Sequence, residues 1–270
     1  MKTTTNSDDE YIVINREDKK YFLRGTDIDY WPYAEVILAN VYSPFKLKKT
    51  DIVLDLGANI GLFTVKFADK VDQIISVEPE LENFNVLKKN IHANNLSNVK
   101  SLNVALSDKD EMLKIEGTSA LAKVSDTGRS TKATTLDSVL EICNISKANV
   151  IKIDIEGYEA IVLKSFRGLE HVREIIVETH GRKTEKEVLR ILKDKNFTVV
   201  NISDFSKKNV IKEIICHPLS FLAAEKKNNF AVTKLCTKYL MRLGPKPGYL
   251  SENADIEVFY GFRINNKNNK

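Results

Sequence analysis

The narrowest limit on the fold is set by Asp51-Ile52-Val53-Leu54-Asp55-Leu56-Gly57-Ala58-Asn59-Ile60-Gly61-Leu62-Phe63-Thr64-Val65, a short apolar run that ends in a glycine-bearing turn and restarts with helical periodicity. Val53, Leu54 and Leu56 are too uniformly apolar for a strand with one wet face, so the run predicts a parallel strand covered on both sides. Gly57 and Gly61 supply backbone freedom and omit two Cβ atoms, so a ligand can approach the main chain closely. Ile60, Phe63, Val65 and Phe67 then start a helix whose N-terminal amides point into the turn. Strand, turn and helix in this order predict a site for a nucleotide-like ligand.

A chain of 270 residues has room for one large α/β domain with additions, or for two small domains. Its 43% hydrophobic content supports a buried core, and 29% charged residues predict a soluble protein. No apolar stretch approaches the roughly 20 residues that span a bilayer, so membrane insertion is not expected. Met1 to Glu10 is polar, without the apolar core of a signal peptide. Cys143, Cys216 and Cys236 stand singly, without metal-ligand spacing, so no metal is expected and reduced thiols in a cytoplasm are the simplest account. The net charge of +4 permits an anionic partner without requiring one.

Ahead of the glycine turn, Tyr11-Ile12-Val13-Ile14 and Tyr21-Phe22-Leu23 predict a β-hairpin, and Ala34 to Val41 has helical character. Residues 1–50 thus read as an appendage beside the ligand crevice. Tyr30, Trp31, Tyr33 and Tyr42 either line an acceptor pocket or pack beneath that appendage. After the turn, Gln73 to Pro79 is a second apolar strand ending on Glu78, 23 residues beyond Asp55. Nucleotide-binding α/β folds place at about this spacing a carboxylate that accepts both ribose hydroxyls. Leu81 to Asn95 predicts an amphipathic helix, and Val99 to Leu106 a third strand ending at Ser107-Asp108. That polar pair either hydrogen-bonds an adenine amino group or caps a turn. Met112 to Ile115 reads as an extra strand, Gly117 to Lys132 as a mobile loop, and Thr134 or Thr135 as a helix cap.

The second informative stretch is Asn149 to Ala160. Ile151, Ile153 and Ile155 alternate with Lys152, Asp154 and Glu156, so the charges share one face of a strand expected at the centre of the sheet. Charges there are costly unless they open into a crevice at the strand's carboxyl end, where open α/β sheets bind ligands, or pair with one another. Val172 to Val177 is a fifth strand, followed by Glu178 and His180 on one side of it; His180 is a candidate base or a plain hydrogen-bonding residue. Thr184 to Lys195 predicts a helix, Phe197 to Ile202 a sixth strand, Phe230 to Leu243 a helix, Gly244 to Gly248 a rigid loop and Ile256 to Ile264 a closing strand. The alternation from Asp51 to about Ile202 implies an α/β fold with a doubly wound, mostly parallel sheet in residues 51–264, extended at its C-terminal part from about 204 and followed by a polar tail, 265–270.

Five segments in order and spacing resemble the motifs of FkbM-type methyltransferases: Asp55 to Gly61, Val77-Glu78-Pro79, Asn103 to Asp108, Thr135-Leu136-Asp137 and Lys152 to Glu159. The resemblance covers roughly Tyr33 to His180. It implies a class I, Rossmann-like methyltransferase that uses S-adenosyl-L-methionine and commonly methylates a hydroxyl oxygen of a sugar, glycan or other small natural product. Carried over, the family pattern puts Gly57, Ala58, Asn59 and Gly61, entered from Asp55, around the methionine moiety. It puts Glu78, followed by Pro79, on the ribose, and Ser107 and Asp108 near adenine. Asp154 and Glu156 would face the sulfonium and the acceptor, and Asp154, Glu156 and His180, in that order, are the candidate bases.

Two other readings differ in partner or class. An RNA methyltransferase of the same fold is favoured by Lys207, Lys208, Lys226, Lys227 and Lys238, but these are interspersed with acids and lack aromatic interleaving. A nucleotide-dependent oxidoreductase, or a cofactor-binding protein without catalysis, would suit a full Gly-x-Gly-x-x-Gly, where this chain has Asn59.

Overall fold

A strand this apolar needs cover on both faces, and the computed structural model, which describes residues 11–24, 29, 32–116, 123–124, 128–202 and 256–263, supplies it. The chain begins with an antiparallel hairpin, β1 (Ile12–Arg16) and β2 (Lys19–Leu23), and a π-helical turn, Ala34–Leu38. Then come β3 (Ile52–Leu56), helix α1 (Leu62–Phe67), β4 (Gln73–Val77), α2 (Leu81–Ala93) and β5 (Val99–Leu102). Four short strands follow, β6 (Ala105–Leu106), β7 (Glu111–Glu116), β8 (Lys123–Val124) and β9 (Arg129–Thr134). The chain continues through α3 (Leu136–Ile142), β10 (Val150–Ile153), α4 (Glu159–Ser165), β11 (Glu174–His180), α5 (Arg182–Asp194), β12 (Thr198–Asn201) and β13 (Ile256–Phe262). Among the described residues no helix is long and apolar enough to cross a membrane.

Seven strands form the central sheet in the order β12-β13-β11-β10-β3-β4-β5. It is the doubly wound, mostly parallel sheet that the alternation implies. The chain leaves β3 toward β4 and β5, then returns to build β10 and β11 on the other side, so the winding reverses between β3 and β10. A reversal opens a crevice at the carboxyl ends of the two strands. The period of two divides the sheet's side chains between two cores. Leu54, Leu56, Ile75, Val77, Ile151 and Ile153 pack with α3 and α4, while Val53, Ile74, Val150 and Ile176 pack under Phe63, Tyr42, Tyr33 and the hairpin.

Two expectations are corrected. Val99 to Leu106 is not one strand: β5 ends at Leu102, and β6 leaves for a second sheet of order β6-β9-β7-β8. The break comes at Asn103, whose Nδ2 donates to the carbonyls of Glu78 (2.8 Å) and Pro79 (3.1 Å) and so holds the chain at the end of β4. Arg129 to Lys132, expected in a loop, lies in β9, because Thr131 and Ala133 face inward in alternation and pair with β7. The sixth strand and the closing strand form as expected, with β13 lying between β11 and β12 and antiparallel to both. Thr135 caps α3 as expected, accepting from the Ser138 amide at 3.1 Å. Glu80, not anticipated in this role, caps α2 by accepting from the Asn83 amide. Met1 to Glu10, Tyr30, Trp31, the two C-terminal cysteines, the five C-terminal lysines, the 230–243 helix, the 244–248 loop and the 265–270 tail lie outside the described residues.

At the opposite edge from the crevice, Arg173 joins the amino ends of β3 and β11. Its guanidinium donates to both oxygens of buried Asp51 (2.8 Å each) and to Oε1 of buried Glu174 (2.8 Å). Glu174 in turn accepts from the Lys46 amide (2.8 Å) and from the Tyr260 hydroxyl of β13 (2.9 Å). Removing the cation leaves two buried carboxylates uncompensated. Arg173→Met is expected to lower unfolding free energy by about 3 kcal/mol, measured by urea denaturation; a loss below about 0.5 kcal/mol would show that the network contributes no more than a surface pair.

Candidate active site

A stripe of polar side chains crosses the sheet face under α1. Ser76, Asp55 and Lys152 are register partners on β4, β3 and β10, and all three are buried. Buried polar groups need partners, and these find one another. Thr64 of α1 donates to Asp55 Oδ2 at 2.6 Å and lies 2.7 Å from the Ser76 hydroxyl. With the only Thr64 proton directed at Asp55, Ser76 is left to donate. Lys152 Nζ stands 3.4 Å from Asp55 Oδ1 and donates to the carbonyl of Gly57 at 2.5 Å. The sequence offered Asp154 and Glu156 as partners of Lys152; the ion pair forms across the strands with Asp55 instead, because β3 and β10 set the two residues side by side. Burial pushes the Asp55 carboxyl up against the pull of Lys152 and Thr64. Burial works against the ammonium of Lys152, but Asp55 and Asp154 outweigh it and hold the charge.

The glycine turn hangs on this stripe. Gly57, at φ 74°, has no room for a side chain, since a Cβ would sit 1.8 Å from the carbonyl oxygen of Asp154. The amides of Gly57 and Ala58 donate to the Val77 carbonyl (2.9 and 3.0 Å) and that of Asn59 to Glu78 Oε2 (2.8 Å). These three amides are therefore spent on holding the turn against the end of β4, and the main chain exposes its curvature rather than its donors. Asn59 itself takes a left-handed φ of 52°, with its side chain accepting from the Ile60 amide.

Glu78 lies at the mouth of that turn, buried, with Oε1 accepting from the Glu80 amide (2.9 Å) and Asn83 Nδ2 (3.3 Å). Burial lifts its pKa to about 7, against the hydrogen bonds from Glu80, Asn59 and Asn83. Ser107 is buried with its hydroxyl donating to Glu111 Oε1 at 2.6 Å, and Asp108 is exposed beside it. Pro79 contributes its carbonyl to Asn103.

Across the crevice, β10 ends at Ile153 and Asp154 follows with its amide on the Leu56 carbonyl (3.1 Å). Glu156 adopts a left-handed φ of 54°, and Gly157 one of 102°, which turns the chain sharply into α4. The turn brings Asp154, Glu156 and Glu159 to His180 at the end of β11. His180 Nδ1 lies 3.1 Å from Oε1 of Glu159, while Nε2 faces Glu156 (3.3 Å), Asp154 (3.9 Å) and Glu178 (3.9 Å). Burial works against the imidazolium, but the bond to Glu159 and the charges of Asp154, Glu156 and Glu178 lift the ring's pKa to about 10. Burial, then Asp154 and Glu35, push the Glu178 carboxyl well up. Side-chain exposure is 31% for Asp154 and 36% for Glu156 but 0% for Glu159, so the first two face the open crevice and the third lies behind the ring.

All three predicted bases therefore meet in one cluster, and the predicted turn residues meet Glu78 on the other side. Glu159 and Glu178, which the sequence reading named without assigning a role, complete the cluster. Their signal was spacing: Glu178 lies two residues before His180 on a strand, and Glu159 one helical step after Glu156. Of the aromatic candidates, Tyr33 packs edge-on against Tyr21 (6.1 Å between ring centres) and Tyr42 against Phe63 (5.0 Å), both buried. Tyr42 also feels the crevice: burial, then Asp154 and Glu178, raise its pKa well above the usual value.

The Asp55–Lys152 pair yields a test. Lys152→Met is expected to cost about 3–5 kcal/mol because it strands a buried carboxylate. Lys152→Met combined with Asp55→Asn, which keeps an acceptor for Thr64, is expected to recover at least half of that loss in urea denaturation. Equal stability of the single and double variants would mean that the pair does not interact.

Comparison with known proteins identifies relatives of the chain. Hexuronic acid methyltransferase AglP of Haloferax volcanii is 30% identical over 153 residues, 54% of this chain and 63% of AglP, so the chain matches less than two thirds of that relative's length. Methyltransferase sdnD of Sordaria araneosa is 28% identical over 212 residues, covering 62% of this chain and 81% of that protein. The crystal structure of Methyltransferase FkbM from Methylobacillus flagellatus KT aligns with a TM-score of 0.46 at 17% identity, over 64% of this chain and 46% of that one. The model of the methyltransferase FkbM domain matches residues 55–199, more than half of the chain, from the strand before the glycine turn to the strand after α5, and the chain belongs to that family.

Proposed function

We propose that this protein transfers a methyl group from S-adenosyl-L-methionine to a hydroxyl oxygen of a sugar, glycan or other small natural product. The observation that carries the reading is the convergence, at the carboxyl ends of adjacent parallel strands, of a tight glycine-bearing turn, the buried carboxylate of Glu78 and an acidic wall with a centre at His180. The residues fit the cofactor by charge and shape. Glu78 has acceptor capacity left after its three hydrogen bonds. The turn from Gly57 to Gly61, whose glycines let it pack against the Asp154 carbonyl and Leu87, borders the methionine moiety, Pro79 borders the ribose, and Ser107 with exposed Asp108 borders adenine. Asp154 and Glu156, which face the open crevice, give it the negative charge that a sulfonium requires. The bound cofactor supplies an electrophilic methyl group. The chain's residues do the rest: they align the acceptor with that methyl group and remove the hydroxyl proton. Asp154 and Glu156 face the open crevice and are the first candidates for the base, with His180 held behind them by Glu159. The name of AglP, which specifies a hexuronic acid, supports a sugar acceptor.

Binding separates this reading from its rivals. S-adenosylhomocysteine is expected to raise the melting temperature and NADH to leave it unchanged; the reverse would overturn the methyltransferase reading. Glu78 adds a pH signature. Its carboxyl, with a pKa of about 7 rather than 4.5, is half protonated near neutrality in the free protein. Ribose hydroxyls donate to the ionised form, so S-adenosylhomocysteine affinity is expected to rise from about pH 6 to about pH 8. In Glu78→Gln the pH dependence disappears and affinity falls about 10- to 100-fold, the worth of hydrogen bonds to a charged group; unchanged calorimetric affinity would remove Glu78 from the ribose site. Asp154→Asn is expected to lower turnover by about 100-fold or more while S-adenosylhomocysteine affinity moves less than about threefold. Wild-type turnover in that variant would exclude Asp154 as the base.

A further inference from the structure

His180 has two ring nitrogens in different surroundings. Nδ1 is clamped by Glu159, a fully buried carboxylate whose second oxygen, Oε2, has no hydrogen-bond partner among the described residues. Nε2 points the other way, toward Asp154, Glu156 and Glu178. A carboxylate fixing one ring nitrogen so that the other is presented outward is the arrangement around metal-bound histidines, where it sets the tautomer and raises ligand basicity. One ligand atom each from Asp154, Glu178 and His180 lies within 4.8 Å of the other two, a span that one ion between them can bridge after small side-chain rotations.

The cluster is also rich in acid. Four carboxylates, Asp154, Glu156, Glu159 and Glu178, surround one imidazole, with Glu35 adding to the field from the π-helical turn. Lys152 pairs with Asp55 and donates to Gly57, acting on Asp154 only from beyond ion-pair distance, and among the described residues no Lys or Arg forms an ion pair with Asp154 or Glu178. A half-buried site this acidic suits a cation.

We propose that Asp154, Glu178 and His180 hold one divalent cation on the acceptor side of the crevice. One imidazole and two carboxylates, with the remaining positions open, suit a borderline ion such as Mn2+ or Zn2+ better than the all-oxygen preference of Mg2+. Its use rests on the methyltransferase reading; its binding does not. The ion polarises an acceptor hydroxyl and holds it in line, which leaves Glu156, 3.3 Å from Nε2, to take the proton. The hydroxyl O–H bond breaks toward the Glu156 carboxylate, the oxygen's electron pair forms the bond to the methyl carbon, and the carbon–sulfur pair returns to sulfur as a thioether. An ion here would also let an acidic acceptor approach a wall that otherwise repels it.

The test is a titration of the full chain with Mn2+, following loss of the free-ion paramagnetic resonance signal, with S-adenosylhomocysteine binding measured in parallel. The expected result is one site per chain, weakened at least about tenfold in Glu178→Gln and in His180→Gln, each variant still binding S-adenosylhomocysteine as a check that it folds. No signal loss up to millimolar Mn2+, or equal binding in wild type and both variants, would overturn the site. If the homocysteine derivative binds while Mn2+ does not, the cation proposal fails and the methyltransferase reading stands; if Mn2+ binds as expected and the derivative does not, the site stands and that reading fails.

Discussion

The ion pair between Asp55 and Lys152 is the contact on which the rest of the site depends. It lies at the centre of the sheet, where the winding reverses and two parallel strands part to open a crevice. A buried pair of this kind contributes little net stability compared with apolar residues, and its value lies in position. Asp55 gathers Thr64 and Ser76, which fixes α1 against β4, while Lys152 reaches past its partner to the Gly57 carbonyl. The turn is thereby fixed from below by an ammonium and from the side by Glu78 and the Val77 carbonyl. A loop held this firmly in the free protein has little ordering left to lose on binding a ligand.

The two walls of the crevice solve different electrostatic problems. Glu78 is alone, dry and surrounded by hydrogen-bond donors, so its proton is lost near neutrality. The opposite wall crowds four carboxylates around one histidine, so each charge raises the demand for a positive partner. A sulfonium, a protonated ring or a bound ion each meets part of that demand. The crowding follows from the chain's route: Glu156 and Gly157 turn in left-handed backbone, which places a strand end and a helix start against the end of β11.

Much of this was legible in the sequence because the informative positions obey short-range rules. The glycine turn, the acid 23 residues beyond Asp55 and the alternation of Ile151 and Ile153 with charge follow from the periods of strand and helix, and their places in the sheet follow from the alternation. What could not be read was pairing between strands. Asp55 and Lys152 are 97 residues apart, and only the register of β3 with β10 sets them side by side. The break at Asn103 was hidden for the same reason, since its bonds are to Glu78 and Pro79 on another strand. Ser107 and Asp108, adjacent in sequence, differ in burial because Glu111 captures the serine hydroxyl from the second sheet. Residues 203–255, which separate β12 from β13, gave only weak patterns and leave the acceptor's identity to experiment.

The most direct test of the central claim is a crystal structure of the full chain with S-adenosylhomocysteine. The account predicts the ribose against the Glu78 carboxylate, the methionine portion along Gly57 to Gly61, and the thioether sulfur open toward Asp154 and His180. A ligand seated elsewhere, or one with Glu78 out of hydrogen-bonding reach of its ribose, would contradict it.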